Sequence, residues 1–458
     1  MARFLTGLSP TLCWIAVLFM AGIAHGEAPK LMSGPLVGYS NHFDTAVWVQ
    51  TNQPTRVRLT YWPITEREKL SRTPYIHTGI DDIALVRVEN LSPGTEYGFR
   101  VDVGSDEASG SHPSARFQTQ PLWRRFKGRG APNFSVAFGS CSYTTDEAYD
   151  PKPYYGGGYD IYDSIAQQNP DLMLWLGDNV YFRPSDWASS AGMQRRYRRT
   201  RQLKQLQALL ATTHNYATWD DHDYGPNDSN WSFANKSASL AAFKLYWANP
   251  SYGLPELPGV FSHFTWGDVD FFMLDNRWYR SASSAPRTAA KEQFGKGQIR
   301  WLLDALSASR APFKIVAAGG QFLSPFDKWE GSAQFPHETN ELIDRLIKRR
   351  IGGVLFLSGD RHHTELVKVH PKGFYPLFDF TASPLTSRPA SADGEWNSSV
   401  RVPGTLVTKK RNFGLLKFSG SDGQRMVTLE SRDKAGRLLW SQTIGEQMLR
   451  VPEPKGSP

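Results

Sequence analysis

Four apolar segments of this 458-residue chain each end in side chains that could bind a metal ion. In chain order these side chains are Cys141, Asp178 with Tyr181, Asp221 with His222, and Asp360 with His362. Each group alone is a weak signal, because an aspartate after a strand is often only a turn cap. One thiol and three carboxylates gathered together would repel one another unless cations neutralised them. The pattern therefore predicts a site for two or more metal ions, which could activate water and hold a phosphoryl group from both sides.

The types of side chain narrow the choice of metal. Thiolate, phenolate and imidazole ligands favour a transition metal, and the phenolate of Tyr181 makes ferric iron a reasonable candidate. Positions with oxygen ligands alone suit Ca²⁺, Mg²⁺ or Mn²⁺. Structural zinc is not indicated, since its closed sites use cysteine and histidine at short spacing.

The segments that precede these ligands are typical of buried strands. Leu172–Leu176 is apolar without a polar break, as in a strand buried on both faces, and Gly177 then allows a tight turn. Similar runs are Phe134–Phe138, Tyr216–Trp219 and Val354–Leu357. Ligands and catalytic groups collect at the carboxyl ends of such strands, so we expect the four groups to meet.

From residue 133 onward, predicted strands and helices alternate. Further strands are predicted at Val269–Leu274, Phe313–Ala317, Leu377–Thr381, Gly414–Phe418, Met426–Glu430 and Leu438–Gln442. Helices are predicted at Gln194–Leu210, Gly297–Ser307 and Leu342–Arg349. The five arginines between Arg195 and Arg201 are expected to form a solvated face. They lack interleaved aromatic residues beyond Tyr197, so they predict no specific nucleic-acid site.

Residues 30–120 are predicted to form a small all-β domain. β-branched and aromatic residues dominate Ala46–Thr51 and Val57–Trp62, and Ala84–Val88 alternates. Leu91–Val101 resembles the tyrosine corner of fibronectin type III domains, in which a tyrosine hydroxyl binds the preceding corner. The resemblance implies a β-sandwich and says little about function. The basic, glycine-containing segment 121–132 is the expected linker.

The first 26 residues have the pattern of a signal peptide. Arg3 precedes an apolar core at Trp14–Ile23, and Ala24-His25-Gly26 is a small-x-small cleavage site. The apolar run is short for a membrane span, so we expect export to the periplasm or the extracellular space, with a retained anchor as the alternative. No later stretch approaches spanning length, so we predict no transmembrane helix after cleavage. The net charge of +8 favours anionic partners in general and identifies none.

Longer motifs surround the proposed ligands. In order they are Phe138-Gly139-Ser140-Cys141-Ser142, Leu176-Gly177-Asp178-Asn179-Val180-Tyr181, Trp219-Asp220-Asp221-His222-Asp223 and Leu357-Ser358-Gly359-Asp360-Arg361-His362. Leu274–Arg280, Trp301–Asp304 and Gly320-Gln321 lie between them. Together these motifs resemble those of the alkaline phosphatase D (PhoD-like) family of calcineurin-like metallophosphatases, over residues from about 134 to 420.

The resemblance implies an α+β fold: an N-terminal β-sandwich, then a catalytic domain at 133–450 of two packed β-sheets flanked by helices. It implies an alkaline phosphatase or phosphodiesterase that uses Fe³⁺ and Ca²⁺, with other divalent metals as alternatives. Its iron ligands would be Cys141, Asp178, Tyr181 and His362. Its second metal would be held by Asp178, Asp221 and Asp360, with Asp178 bridging the two ions.

The resemblance also implies roles for residues around the metals. His222 would be the general acid, and Arg277 would clamp the phosphate unless it forms a structural salt bridge. Asn179 and Asn227 would contact a ligand or the phosphate unless they cap turns, and His363 would support the metal ligands. Only one arginine precedes the apolar run, which favours the general secretory route over twin-arginine export.

We therefore expect an exported metal-dependent phosphatase acting on small-molecule or polymeric phosphate esters, monoesters or diesters or both. One alternative is a phosphodiesterase or phospholipase-like enzyme on lipids or cell-wall polymers, which would differ in pocket shape. Another is a non-catalytic protein that binds polysaccharide or a partner protein, and the intact motifs argue against it. The aromatic-rich segment Asn230–Trp266 is expected to line one side of the substrate cleft.

Overall fold

A computed structural model describes residues 27–104, 115–123 and 130–453. The expected signal segment and residues 124–129 of the expected linker lie outside the described residues. Within the described part of the chain there are twenty strands and seven α-helices. The strands are β1 (Leu31–Ser40), β2 (Thr45–Thr51), β3 (Arg56–Pro63), β4 (Ser71–Arg72), β5 (Ile76–His77), β6 (Ile83–Val88), β7 (Glu96–Val103), β8 (Arg116–Gln118), β9 (Phe134–Gly139), β10 (Leu172–Leu176), β11 (His214–Thr218), β12 (Ser262–Trp266), β13 (Val269–Met273), β14 (Phe313–Ala317), β15 (Val354–Ser358), β16 (Glu365–Val369), β17 (Leu377–Thr381), β18 (Asn412–Ser419), β19 (Met426–Asp433) and β20 (Leu438–Gly445). The helices are α1 (Asp160–Gln167), α2 (Ser190–Arg201), α3 (Leu206–Thr212), α4 (Asp221–Tyr224), α5 (Lys236–Tyr246), α6 (Lys296–Ala308) and α7 (Pro336–Lys348).

Two six-stranded sheets form the larger part of the chain. The first has the order β11-β10-β9-β18-β19-β20, and its strands β9, β10 and β11 are parallel. The second has the order β12-β13-β14-β15-β17-β16, and its four central strands are parallel. The predicted α+β class with two packed sheets is confirmed.

Side-chain alternation explains how the sheets pack. Along β10, Leu172, Leu174 and Leu176 lie in the core between the two sheets, whereas Met173 and Trp175 pack with the helices on the other face. The inner faces meet through aromatic pairs such as Tyr216 and Phe264, whose ring centroids are 3.7 Å apart. A strand buried on both faces needs a continuous apolar sequence, which is what β10 has.

The N-terminal part contains two smaller sheets. The strands β1-β2-β6 form one, and β4-β3-β7-β8, with β5 paired to β3, form the other. Their facing apolar side chains make a separate core between them. The Tyr97 hydroxyl accepts a hydrogen bond from the Ser92 N–H at 2.9 Å, the contact that a tyrosine corner requires.

The N-terminal sheets also share a core with the part of the chain that contains the two six-stranded sheets. Trp48 of β2 is buried, packs with the residues around α5, and donates from its indole nitrogen to the Leu245 carbonyl at 2.9 Å. Asn215 of β11 donates to the Val37 carbonyl at 3.1 Å. His214 of β11 donates to the Gly38 carbonyl at 2.7 Å. The two parts of the molecule are therefore held together by buried contacts.

Two expectations about the arginine-rich helix were wrong. The predicted helix Gln194–Leu210 is two helices, because α2 ends at Arg201 and α3 begins at Leu206. The expected solvated face is also partly buried. Arg196 donates to Asp186 at 2.8 Å, and the Arg201 guanidinium lies 4.0 Å from the centre of the Trp247 ring. These arginines are buried because each has a carboxylate or an aromatic ring to offset the loss of water.

None of the helices in the described residues is long and apolar enough to cross a bilayer.

Candidate active site

The loops that follow β9, β10, β11 and β15 bring the predicted ligands together at one edge of the two sheets. The Cys141 N–H donates to the Gly177 carbonyl at 3.3 Å, and the Ser142 N–H donates to the Asp178 carbonyl at 2.7 Å. On the other side, the Cys141 Sγ lies 3.5 Å from the Asp360 carbonyl oxygen. These contacts fix the loops from different strands against one another, as the strand-end pattern predicted.

The backbone at the ligands adopts a conformation that is uncommon for residues other than glycine. Cys141, Asp178, Asp360 and His362 have φ values of 60°, 52°, 65° and 54°. Gly177 before Asp178 has a φ of 85°, and a Cβ there would lie 2.6 Å from the Asp220 Cβ. Strained backbone of this kind is concentrated at functional sites, where the surrounding structure holds it in place.

One half of the site contains the thiol, the phenol and an imidazole. The Cys141 Sγ is 3.6 Å from the Asp178 Oδ2, and the Tyr181 hydroxyl is 3.5 Å from the His362 Nε2. Ser387 donates to the Tyr181 hydroxyl at 3.0 Å, and Cys141 is fully buried. Separations near 3.5 Å are what neighbouring ligands of one transition-metal ion show when each bond is about 2.0–2.3 Å long.

The orientation of His362 suits metal binding. Its Nδ1 lies 2.8 Å from the Arg388 carbonyl, to which it donates, and this leaves the lone pair on Nε2 facing Tyr181. The Tyr155 hydroxyl lies 3.3 Å from the same Nδ1. A backbone carbonyl that fixes the tautomer in this way is the usual partner of a metal-binding histidine. Burial lowers the pKa of His362 to about 4, which keeps the ring neutral.

The other half of the site is acidic. Ligand atoms of Asp178, Asp221 and His222 lie within 4.8 Å of one another. Asp178 faces both halves, because its Oδ2 is next to the Cys141 Sγ while its Oδ1 accepts from the His222 backbone N–H at 3.2 Å. This is the arrangement that a carboxylate bridging two cations needs. A second triplet, Asp221, Asp228 and Glu330, also has its oxygens within 4.8 Å.

Without cations, burial and the repulsion between neighbouring acids raise the pKa values of most acids of the site. Burial, followed by the charges of neighbouring carboxylates, raises the pKa of Asp178 well above its ordinary value. Burial and Asp178 do the same to the Cys141 thiol and the Tyr181 phenol. Burial and Asp220 raise the pKa of Asp360 to about 8. Asp221 is the exception, since His222 and Arg277 outweigh its burial and lower its pKa.

The chemistry of these side chains is suited to binding metal ions. The thiol, phenol and carboxylates would all ionise in the field of a nearby cation, which removes the repulsion that raises their pKa values. The side-chain oxygen of Asn179 is buried and has no hydrogen-bond partner among the described residues. A buried acceptor without a donor is costly, and a cation would satisfy it. The donor set combines soft and oxygen ligands, as expected for one transition metal beside a hard cation.

Arg277 is not placed as the expected phosphate clamp. Its side chain is fully buried, and its nitrogens contact Asp220 at 2.5 Å and both oxygens of Glu330 at 2.9 and 2.7 Å. It also donates to the Ser229 carbonyl at 3.1 Å. No nitrogen of its guanidinium is left for a phosphate, so the geometry favours the salt bridge that the sequence left as the alternative.

The structure places the remaining predicted residues as follows. Asn179 lies in the loop after β10 and donates to the Thr218 carbonyl at 2.8 Å. Asn227 is exposed in the loop after α4. His363 is buried behind the metal-ligand loop, with its Nε2 3.6 Å from Glu365 and 3.9 Å from Glu395.

Sequence reasoning missed three carboxylates of the site, Asp223, Asp228 and Glu330. Glu330 lies in a loop without any recognisable motif, and only the fold brings it to Asp221. Asp223 accepts from the Asn179 and Asp220 N–H groups at 2.9 and 3.0 Å, and so joins the loops after β10 and β11. The run Asp220-Asp221-His222-Asp223 could have indicated this, since an aspartate three residues after an N-cap completes a capping box.

Comparisons with solved structures agree with this architecture. The structure of PhoD superposes with a TM-score of 0.74 at 18% identity, covering 94% of each chain. The purple acid phosphatase PPD1 from yellow lupin (Lupinus luteus) seeds has a TM-score of 0.64 at 14% identity, covering 90% of this chain and 74% of that one. The chain therefore shares the fold of these two proteins.

Sequence comparison identifies the family. The family model for PhoD-like phosphatases matches residues 136–434, and one for a domain of unknown function (DUF7800) matches residues 28–121. Alkaline phosphatase D of Bacillus subtilis (strain 168) is 25% identical over 366 residues, covering 67% of this chain and 59% of that protein. The alignment thus spans less than two thirds of that relative. The chain belongs to the PhoD-like phosphatase family.

Proposed function

We propose that this chain is a metal-dependent phosphatase that hydrolyses phosphate monoesters, diesters or both. The observation that carries the proposal is the meeting of Cys141, Asp178, Tyr181, Asp221 and His362 at the carboxyl ends of strands from two packed sheets. Family membership and the alkaline phosphatase named among its relatives support it. We propose that the chain acts outside the cytoplasm, as the signal-peptide pattern of its first 26 residues indicates.

We propose Fe³⁺ in the half of the site that contains Cys141, Tyr181 and His362, and Ca²⁺ in the acidic half, with Asp221 and Asp360 as its proposed ligands. Asp178 would bridge them. When bound, the metals would supply an activated water molecule and neutralise charge on the phosphoryl group. The chain's own residues would orient the ester: the loops after the strands hold the ligands in strained, fixed positions, so little rearrangement is needed when the substrate arrives.

His222 is the residue best placed to move a proton. Its ring stacks on Tyr181 with centroids 4.1 Å apart, and its backbone N–H binds Asp178. We propose that its imidazole gives a proton to the leaving oxygen. Burial lowers the pKa of His222, so the neutral ring is favoured before the ester binds, and the role of acid requires the ring to gain a proton beside the negatively charged ester. The neutral ring is instead the form that binds metal, and His222 lies close enough to Asp178 and Asp221 to do so.

Metal analysis tests the proposed function. Protein purified without a chelator should contain at least two metal equivalents, one of them iron, and should hydrolyse p-nitrophenyl phosphate or bis(p-nitrophenyl) phosphate. Chelation should abolish the hydrolysis, and returning Fe³⁺ with Ca²⁺ should restore it. Full activity in exhaustively metal-free protein would disprove the proposal.

The variant His222→Ala separates the two roles of this histidine. As a general acid, its loss should lower kcat by about 10² to 10⁴-fold on an alkyl phosphate. The loss should be smaller on p-nitrophenyl phosphate, whose leaving group departs without a proton, and metal content should be unchanged. An equal loss on both substrates, together with loss of a metal equivalent, would show instead that His222 is a ligand.

A further inference from the structure

Behind the loop of the metal ligands lies a second group of ligand-type side chains, which the proposed reaction does not use. It consists of His363, Glu365 and Glu395, whose exposed fractions are 1%, 0% and 3%. One ligand atom from each of the three residues lies within 4.8 Å of the other two. Buried ionisable groups are costly unless they are paired or bind a metal, so the partners of these three side chains decide what the group can do.

The histidine lacks the hydrogen bonds that a buried imidazole needs. Neither ring nitrogen of His363 has a hydrogen-bond partner among the described residues, and the same is true of the Glu395 Oε2. The His363 Nε2 lies 3.6 Å from the Glu365 Oε1 and 3.9 Å from the Glu395 Oε2, which is too far for hydrogen bonds. Two atoms bonded to one ion at about 2.1 Å lie about 3.4 Å apart in a tetrahedron and about 4.2 Å apart when opposite each other. The observed separations therefore suit a shared cation.

The two carboxylates of the group use their other oxygens to bind arginines. Glu365 binds Arg401 through Oε2, and Glu395 binds Arg361 through Oε1. Arg401 also donates to the Glu395 carbonyl at 2.7 Å, which attaches the segment of Glu395 to the start of β16. The Glu365 Oε1 accepts from Gln321 at 2.7 Å. These contacts fix both carboxylates and leave the oxygens nearest the His363 Nε2 able to accept a cation.

The charges around the group are not balanced. Asp379 adds a third buried carboxylate to Glu365 and Glu395, against the two guanidiniums. Its oxygens accept from the Ser358 hydroxyl at 2.7 Å and from two backbone N–H groups, which carry no charge. Burial, opposed by these hydrogen bonds, raises the pKa of Asp379 to about 6, and the charge of Glu365 adds to the rise. Asp379 is still mainly ionised at neutral pH, so a bound cation or a proton on His363 would offset an excess of negative charge.

We propose that His363, Glu365 and Glu395 bind a divalent transition-metal ion, separate from the ions of the active site. One imidazole nitrogen and two carboxylate oxygens form a ligand set that Mn²⁺, Co²⁺ and Zn²⁺ accept. A proton on His363 would add a second buried N–H donor without an acceptor, whereas a cation would satisfy the Nε2 and the Glu395 Oε2 together. The ion would link the loop that carries Asp360 and His362 to the segment between β17 and β18.

Anomalous X-ray diffraction tests the site without any substitution. Crystals of the full chain loaded with Co²⁺, measured on both sides of the cobalt absorption edge, should show a cobalt peak about 2.1 Å from the His363 Nε2. Cobalt peaks at the active site with none at His363 would overturn the proposal.

The cobalt content of two variants provides a second test. After equilibrium dialysis against Co²⁺, His363→Gln should hold one cobalt equivalent fewer than wild type and should keep the same iron content. Glu430→Gln is the matched control, because Glu430 is a buried carboxylate that pairs with Lys417 and Arg432, and its cobalt content should equal that of wild type.

Equal cobalt contents in the three proteins would overturn the proposal in favour of a protonated His363. Neither measurement depends on hydrolysis. If the wild type hydrolyses no ester and lacks iron but shows the cobalt peak at His363, the proposed function fails and the separate metal site is confirmed.

Discussion

Two tyrosines that contact opposite nitrogens of His362 allow a sharp test of the metal ligands. Tyr181 faces Nε2 at 3.5 Å, and Tyr155 faces Nδ1 at 3.3 Å. Tyr181→Phe should therefore remove a phenolate ligand, lower iron content and abolish the visible absorption of an iron–phenolate bond. Tyr155→Phe should keep the iron and its absorption, because Arg388 still binds the Nδ1.

Comparing the Tyr181 and Tyr155 variants also shows whether a loss of iron could come from a general loosening of the site. Both hydroxyls are close to one imidazole, and both rings pack in the same aromatic cluster with Tyr143, so a general loosening of the site would affect the two variants alike. If Tyr181→Phe retained stoichiometric iron and unchanged absorption, the phenol would not be a ligand.

The substitution Arg277→Lys can show whether Arg277 has a structural role or binds the substrate. Lysine keeps the positive charge but cannot donate to Asp220 and Glu330 together, so Arg277→Lys would leave a buried carboxylate without its hydrogen bonds. We expect the free energy of unfolding to fall by about 1.5–3 kcal/mol, the usual contribution of a hydrogen bond to a charged group. Urea unfolding of the metal-loaded variant measures this.

A matched control is the exposed pair Arg287 and Asp327, whose nitrogen and oxygen are 2.7 Å apart. Arg287→Lys should change the free energy of unfolding by at most about 1 kcal/mol, because surface pairs contribute little. A phosphate clamp would give the opposite pattern: Arg277→Lys would be as stable as wild type and would show a higher KM.

The meeting of the candidate ligands at one edge of the sheets could be predicted from sequence, because each of them follows an apolar strand. The role of Arg277 could not be predicted from sequence, because a buried arginine that forms a salt bridge and an arginine that binds substrate look alike in a motif. The deciding partner, Glu330, lies 53 residues away in a loop without a motif. A contact such as that between Arg277 and Glu330 joins residues far apart in the chain, so it depends on how the whole chain folds.

At the scale of elements, strands were more predictable than the ends of helices. The continuous apolar runs of β10 and β15 are at most five residues long and are followed by turn residues, which favours strands buried on both faces over helices. The periodicity of α2 and α3 continues across Gln202–Gln205, so the sequence pattern alone did not reveal the break. Similarly, α7 begins at Pro336, six residues before the predicted helix, because proline is well tolerated in the first helical turn.

The strand β11 contains a histidine that makes stability depend on pH. His214 Nδ1 donates to the Gly38 carbonyl, and its Nε2 accepts from the Gln118 N–H at 3.1 Å. Burial lowers its pKa from 6.5 to about 4. Between these values the unfolded chain binds a proton that the folded chain excludes, so stability is full above pH 6.5 and is lost as the pH falls toward 4. The loss is roughly 3 kcal/mol.

Urea unfolding between pH 7 and pH 4 checks this dependence. His214→Asn should be less stable than wild type at pH 7 and should lose less stability on acidification. The exposed His370→Asn is the control and should follow the wild-type curve. Because the metal site also titrates, the decisive quantity is the difference between variant and wild type. Parallel curves for His214→Asn and wild type would contradict the assignment.

At the scale of the whole molecule, the N-terminal sheets and the two six-stranded sheets share buried contacts. The sequence predicted an all-β domain at 30–120 followed by a linker, because turn residues and a change in composition separate the two parts. It could not show that Trp48, Leu36 and Ile83 pack into the core around α5. Apolar residues on both faces of β2, which is buried along its whole length, were the only indication.

A shared core should unfold as one cooperative unit. Trp48 is buried, its ring lies 5.8 Å from that of Tyr246, and it donates to Leu245. Trp48→Ala should therefore lower the free energy of unfolding by about 3–5 kcal/mol, the usual cost of removing a large buried ring. Calorimetry should show a single transition that moves to lower temperature in this variant and does not move in the exposed Phe43→Ala. Two separate transitions, of which Trp48→Ala shifts only one, would show that the N-terminal sheets fold independently of the two six-stranded sheets.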